Sequence, residues 1–250
     1  MSSLLGRQPD LVREHLELLV SQQLADLEAQ RLGLQLDYDA YEQRCEDVLS
    51  ELEAGLPRGI ELDAWVAGSL GLDPARFRQR LKGDVLRELV TERVVRAWTL
   101  THEHARIRLI TAAPGDGPAI AARLAAGESF AAVARDASLG PAPELGGLVP
   151  FLPRAEGAPL SALAFRAELG VVEGPFQLAP GSGDVLLLVE SRSDPLPESW
   201  ERLGPTVELS LGEQPVTDEE FLFWQVSQEE LYDVELTPFY RLVDEPLPRG

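Results

Sequence analysis

The chain has 250 residues and is strongly acidic, with 42 aspartate and glutamate residues against 22 lysine and arginine residues and a formal net charge of −20. Such a surface repels phosphate backbones and anionic lipids, so we expect neither nucleic acid nor a membrane as a partner. Hydrophobic residues make up 44% of the chain, which is enough for a buried core and excludes global disorder. The single cysteine, Cys45, excludes an internal disulfide bond and a cysteine-based metal cluster.

The first segment, residues 1–103, has the periodicity of helices. Apolar residues at helical spacing predict four helices, over residues 11–27, 38–52, 62–70 and 77–98. Asp73-Pro74 has the pattern of a helix N-cap followed by proline at the first helical position. This segment is therefore predicted to be a helical domain.

The second segment, residues 104–193, changes to an alternating pattern. Strands are predicted over residues 106–110, 171–176 and 185–189, and short helices over residues 119–126, 129–134 and 162–169. A Gly/Pro-rich loop is predicted between the second and third helices. These elements describe a small α/β domain.

The third segment, residues 194–250, holds most of the acidic excess, with 14 acidic and 3 basic residues. Alternation over residues 206–211 predicts a strand, and Thr217 with Glu220 has capping-box spacing at the start of a helix. Because its aromatic residues need burial, we expect this acidic α/β segment to pack back on the N-terminal domain. Recruitment of a basic client is the alternative. The whole chain is predicted to be α+β.

Five pieces of the middle segment occur in an order and at separations found in a known family. They are residues 105–110, residues 124–134, Gly146-Gly147 with Phe151, Ala164-Phe165 continuing into residues 170–176, and residues 183–189. Together they resemble the parvulin-type (PpiC-like) peptidyl-prolyl isomerases over residues 105–192. The first segment, around residues 18–37, is similar to the N-terminal domain of the SurA and PrsA chaperone-isomerases.

The resemblance implies two histidines that face each other on adjacent strands beneath a proline-binding pocket. This chain has Ile107 and Val185 at those positions. The family's cysteine or aspartate aligns with Leu139 or Gly140, and its pocket phenylalanine with Leu160. We therefore predict no catalytic residue and a degenerate peptide-binding groove, whose residues are Ile107, Leu139, Phe151, Leu160, Phe165 and Val185.

The resulting hypothesis is a chaperone or maturation factor that holds unfolded or extended polypeptide by apolar contacts and edge-strand pairing. One alternative is an active peptidyl-prolyl isomerase with a divergent site. The other is a scaffold subunit of a larger complex, for instance a peptide-modifying one, with a protein partner bound through the acidic C-terminal segment.

Two further features bear on cofactors and location. His102 and His104 form an H-x-H pair, which we interpret as a solvated linker pair, so neither a metal site nor another cofactor is expected. The start of the sequence lacks a basic region followed by a long apolar run, and no stretch reaches about 18 uninterrupted apolar residues. We therefore predict a cytoplasmic location, with a periplasmic or secreted location as the alternative.

Overall fold

The computed structural model describes residues 9–155, 157–237 and 240. The chain divides into two units. Unit 1 comprises Met1–Val94, Ser199–Leu211 and Gln228–Gly250, and unit 2 comprises Val95–Glu198 and Gly212–Ser227. The fold class is α+β, as predicted from the sequence.

The first third of the chain forms helices, as its periodicity predicts. They are α1 (Pro9–Leu32), α2 (Tyr38–Gly55), α3 (Leu62–Trp65) continued by a π-helical turn (Val66–Leu70), and α4 (Pro74–Leu100). Asp37 caps α2, because its carboxylate accepts hydrogen bonds from the backbone N–H groups of Asp39 and Ala40. Within unit 1, buried Cys45 on α2 packs with Val85 and Leu89 on α4.

The middle of the chain alternates strands and helices. The elements are β1 (His104–Ala112), α5 (Gly117–Ala125), α6 (Phe130–Ala137), a 3-10 turn (Pro143–Leu145), β2 (Leu148–Pro153), α7 (Pro159–Arg166), β3 (Val172–Gln177) and β4 (Asp184–Ser193). Strand β2 was predicted as part of a Gly/Pro-rich loop, and that prediction is wrong. Its residues pair antiparallel with β1, with Val149 opposite Ile107, so partner-strand hydrogen bonds outweigh the local loop signal.

The four strands form one sheet of order β2-β1-β4-β3, with every neighbouring pair antiparallel. Both edge strands contain proline, at Pro150 and Pro153 in β2 and at Pro175 in β3. One face packs Ile110 and Leu186 against α5 and α6. We call the opposite side the α7 face, because buried residues of β1, β2 and β4 pack there with Ala164 and Ala167. Its strand residues are Ala105, Ile107, Leu109, Val149, Leu152, Val185, Leu187 and Val189.

The Gly146-Gly147 turn leads into β2 at a close approach of two backbones. Gly147 has a φ of +71°, and a Cβ at this position would lie 2.1 Å from the carbonyl oxygen of Leu109. Its own carbonyl accepts a hydrogen bond of 2.8 Å from the backbone N–H of Leu109. Only glycine combines this conformation with this contact, which explains the Gly-Gly pair physically.

The described part of the C-terminal segment contains two helices, α8 (Trp200–Glu213) and α9 (Asp218–Leu231), joined and flanked by loops, and it contains no strand. The predicted strand over residues 206–211 is therefore wrong, and so is the α/β character given to this segment. Buried Leu203, Val207 and Ser210 follow helical spacing, whereas Leu209, which the alternating pattern counted as inward, is 68% exposed. The segment packs on the N-terminal helices in part: residues 199–211 and those from 228 belong to unit 1, where the Tyr232 hydroxyl donates to Glu28 at 2.8 Å, whereas residues 212–227 belong to unit 2.

No helix among the described residues is long and apolar enough to cross a membrane.

Candidate peptide-binding site

Ile107 and Val185, which the resemblance aligns with the family's histidines, lie on adjacent central strands and belong to the α7 face. Ile107 is 0% exposed and Val185 is 3% exposed. Ile107 lies opposite Val189, and Val185 lies opposite Thr111, so the two positions are displaced along the ladder by four residues, roughly 13 Å at the usual strand rise. They share an apolar face but do not lie directly opposite each other.

Two more predicted groove residues reach the same face from α7. Leu160 and Phe165 are half-buried and pack against the apolar cluster of the α7 face. Phe223 of α9, which belongs to the same unit, packs against this cluster as well. The structure therefore brings four of the six predicted residues together, and it adds an aromatic side chain from the C-terminal segment that the sequence pattern did not assign to the groove.

Phe151 and Leu139 lie elsewhere. The Phe151 ring stacks under the guanidinium of Arg96, with Cζ 4.0 Å from the ring centroid. Leu139 is 76% exposed in the segment after α6, where its backbone N–H donates to the carbonyl of Thr111 at 2.7 Å. Its side chain does not belong to the apolar cluster of the α7 face.

Arg96 also forms a fully buried ion pair within unit 2. Both Arg96 and Glu220 are 0% exposed, with Nε–Oε1 at 2.9 Å and Nη2–Oε2 at 3.0 Å. Arg96 Nη2 donates further to the carbonyls of Gln214 and Pro215, each at 3.2 Å. Burial raises the pKa of Glu220, and the guanidinium of Arg96 opposes that shift. This pair attaches the start of α9 to the end of α4.

The capping box predicted at the start of α9 is present. The backbone N–H of Glu220 donates to the Thr217 hydroxyl, and the backbone N–H of Thr217 donates to the Glu220 carboxylate, both at 3.2 Å. The Arg96 partner was not predicted. A signal existed, because Arg96 interrupts a run of buried apolar residues and such an arginine needs a buried acid.

A cavity of about 390 Å³ lies beside Phe165, at the outer side of α7. The guanidinium of Arg154 stands over the Phe165 ring, with Cζ 4.3 Å from the centroid, and that of Arg192 lies 5.9 Å from it. The cavity is lined by Arg154, Ala155, Gly157, Ser161, Ala162, Phe165 and Arg166. Its arginine residues were not predicted as site residues.

Local hydrogen bonds fix the walls of this cavity. The Ser161 hydroxyl donates to the carbonyl of Pro153 at 3.0 Å and accepts from the N–H of Ala155 at 2.9 Å, which ties α7 to the loop after β2. Arg192 donates to the carbonyl of Ala164 at 2.6 Å and also to that of Ala167, at the end of α7. The cavity is thus built before any ligand arrives.

Unit 1 carries a second cleft, of about 510 Å³, with an acidic rim. It is lined by Gln35, Asp37, Ala40, Trp200, Glu201, Gly204, Pro205 and Glu208. Two of the acids already have partners, since Asp37 caps α2 and Glu208 binds Arg93 at 2.7 and 2.8 Å. The acids are thus largely engaged in holding unit 1 together.

The two histidines bind backbone carbonyls, and the predicted solvated linker pair is wrong, because His104 is the first residue of β1 and is only 7% exposed. His102 Nδ1 lies 2.7 Å from the carbonyl of Trp98, and His104 Nδ1 lies 3.0 Å from that of His102. Within the described parts of the chain, no group of three or more histidine, cysteine, aspartate or glutamate side chains is arranged to hold a metal ion.

By its architecture the chain is an α+β protein with a helical unit and a four-stranded antiparallel sheet unit covered by helices on both faces. No family model matches it, and no curated protein does. Solved structures similar to it are peptidyl-prolyl isomerases and SurA-like chaperones, as the sequence resemblance implies.

Three of these structures illustrate the range. PrsA from Bacillus anthracis is 15% identical over 88% of this chain and 98% of its own, with a TM-score of 0.37. A PpiC-type peptidyl-prolyl isomerase domain is 24% identical over 39% of this chain and 97% of its own, with a TM-score of 0.34. A SurA-like chaperone of Campylobacter jejuni is 16% identical over 91% of this chain and 86% of its own, with a TM-score of 0.34. Similarity this low carries no functional argument.

Proposed function

We propose that the protein is a chaperone or maturation factor that binds unfolded or extended polypeptide and does not catalyse prolyl isomerisation. The observation that carries this proposal is the apolar burial of Ile107 and Val185 within the α7 face. The barrier of about 18–20 kcal/mol to rotation about a peptide bond falls when a site binds the twisted amide more tightly than the planar one. Such preference needs oriented polar groups, and buried isoleucine and valine side chains supply none.

Exposed apolar side chains support the binding half of the proposal. On α1 in unit 1, Leu11 is 58% exposed and Leu18 is 53% exposed. Because they are seven residues apart, they lie on one side of the helix. Exposed apolar patches on proteins mark interaction sites, and an unfolded chain presents the complementary apolar side chains.

The scaffold alternative is favoured by one feature of α9. Leu222 is 58% exposed and Val226 is 53% exposed, and their spacing of four residues places them on one side of the helix. Acidic Asp218 and Glu219 precede them in the first turn. A protein partner with an apolar stripe and basic residues would complement this surface.

Two assays on the full chain test the proposal. The protein should slow aggregation of a chemically unfolded client, and it should not accelerate isomerisation of a proline-containing peptide. The double variant Leu11→Ser/Leu18→Ser should weaken the aggregation effect, whereas Leu139→Ser, which changes an exposed leucine in unit 2, should not. Faster isomerisation would favour the enzyme alternative. Absence of any effect on the client, with no peptide bound in a titration, would favour the scaffold.

The cytoplasmic location stays a prediction.

A further inference from the structure

The cavity beside Phe165 gathers positive charge in a chain whose formal net charge is −20. Arg154 and Arg166 line it, and the guanidinium of Arg192 lies 5.9 Å from the centroid of the Phe165 ring. Among the described residues, the acid paired with this group is Glu103, whose Oε2 lies 2.6 Å from Arg154 Nε. The described residues of the cavity therefore carry more cations than acids, and Glu156, between Ala155 and Gly157 in the sequence, lies outside the described residues.

The two lining arginines remain available to a ligand. Glu103 binds the Nε edge of Arg154, and the Arg154 side chain is still 52% exposed. Stacking over Phe165 at 4.3 Å restricts the orientation of this guanidinium. Arg166, on the last turn of α7, is exposed and has no ion pair within the described residues. A guanidinium held in a fixed plane favours a carboxylate, because its N–H groups match the two carboxylate oxygens.

We propose that this cavity binds the carboxylate side chain of an aspartate or glutamate that neighbours an apolar residue in a bound polypeptide. The apolar residue would pack on Phe165, and the carboxylate would lie between Arg154 and Arg166. The volume of about 390 Å³ suits one or two side chains and not a folded partner. The inference deepens the proposed function and rests on it, since it names a sequence feature of the bound polypeptide that unit 2 selects.

Binding of two fluorescein-labelled peptides to the full chain tests the inference. The peptides are apolar decamers with a C-terminal amide that differ only in having glutamate or glutamine beside a central leucine. We expect the glutamate peptide to bind about 1.5- to fivefold more tightly at low salt, the range for a solvent-exposed arginine–carboxylate pair. The preference should shrink as ionic strength rises.

Variants locate the effect. Arg154→Gln and Arg166→Gln should each reduce the preference for glutamate, and the double variant should abolish it while the glutamine peptide still binds. Arg135→Gln changes an exposed arginine on α6, which packs on the other face of the sheet, and should leave the preference intact. Circular dichroism should show that all variants remain folded, since the substituted arginines are exposed.

The outcomes separate this inference from the proposed function. Equal affinity for the two peptides, or a preference that survives in the double variant, overturns the inference and leaves peptide binding standing. A preference that appears only when the peptide carries a free C-terminal carboxylate overturns the assignment to a side chain. If neither peptide binds, the proposed function fails and the inference fails with it.

Discussion

Removing one member of the buried Arg96–Glu220 pair should strongly destabilise unit 2. In the variant Arg96→Met, the Glu220 carboxylate keeps its 0% exposure but loses both charge-assisted hydrogen bonds. Breaking a buried pair in this way costs about 3–5 kcal/mol. The carbonyls of Gln214 and Pro215 also lose their donor, at about 1 kcal/mol each. The total is a large part of the roughly 5–15 kcal/mol that stabilises an ordinary domain.

Replacing both members should cost less than replacing one. The variant Arg96→Met/Glu220→Leu leaves no uncompensated charge, because both ions are gone and two apolar side chains fill their space. The loss that remains comes from the two orphaned carbonyls and from the bond between Glu220 and the N–H of Thr217, about 2.5–4 kcal/mol together. The double variant should therefore be more stable than Arg96→Met alone.

Urea denaturation followed by far-ultraviolet circular dichroism measures these differences. Arg106→Met is the matched control, because Arg106 pairs with Glu190 at the surface, where the two side chains are 45% and 29% exposed, and its loss should cost less than about 1 kcal/mol. The reasoning is refuted if Arg96→Met loses no more stability than this control. It is also refuted if the double variant is as unstable as the sum of its two single variants.

Three further predictions concern other parts of unit 2. Gly147→Ala should destabilise the protein by more than the roughly 1–2 kcal/mol that a left-handed alanine costs, because the new Cβ would lie 2.1 Å from the Leu109 carbonyl oxygen. The control is Gly127→Ala, where φ is +95° and the space is open, so urea denaturation should show only the conformational cost. Equal losses of stability in the two variants would contradict this reasoning. The pKa of Asp184 is lowered, chiefly by the N–H of Gly117, with Gln177 and the N–H of Gly115 contributing, so Asp184→Asn should lose stability at pH 7. The difference in stability between the wild-type protein and Asp184→Asn should narrow as the pH falls from about 4, the pKa of Asp184 in the unfolded chain, through its lower pKa in the folded protein. A difference that does not change with pH would contradict the lowered pKa of Asp184. Ile107→His should lower the free energy of unfolding by about 2–4 kcal/mol at pH 7, since the imidazole would enter a wholly apolar cluster. An unchanged melting temperature would show that this position still accommodates histidine.

The helices and the central strands were predictable because their signals are local. Apolar residues recur at helical spacing along α1, α2 and α4, and β4 is an apolar run bounded by a tight turn. The alternation over residues 206–211 was misleading because a short apolar alternation is compatible with either period. Buried Leu203 and Val207, four residues apart, together with exposed Leu209, show that the helical period governs α8.

The site residues that the family resemblance assigned were predictable from the sequence. The residues that only tertiary packing brings to the site were not. Ile107, Leu160, Phe165 and Val185 meet on one face, as a shared groove requires. Arg96 and Glu220 meet across 124 positions of sequence, and no local pattern encodes such a pair. The arginines around Phe165 escaped prediction for the same reason, since Arg154 and Arg192 come from separate segments.

The prolines in both edge strands have a consequence for the proposed binding of unfolded chains. An exposed strand edge offers N–H and C=O groups to any extended polypeptide and can seed its growth into a larger sheet. Pro150 and Pro153 remove two N–H donors from β2, and Pro175 removes one from β3. Each edge of the sheet is therefore a poor template for pairing with another strand. We expect clients to be held through side chains and released without strand exchange. The predicted edge-strand pairing would then contribute little, and native copies of the chain would resist joining their sheets.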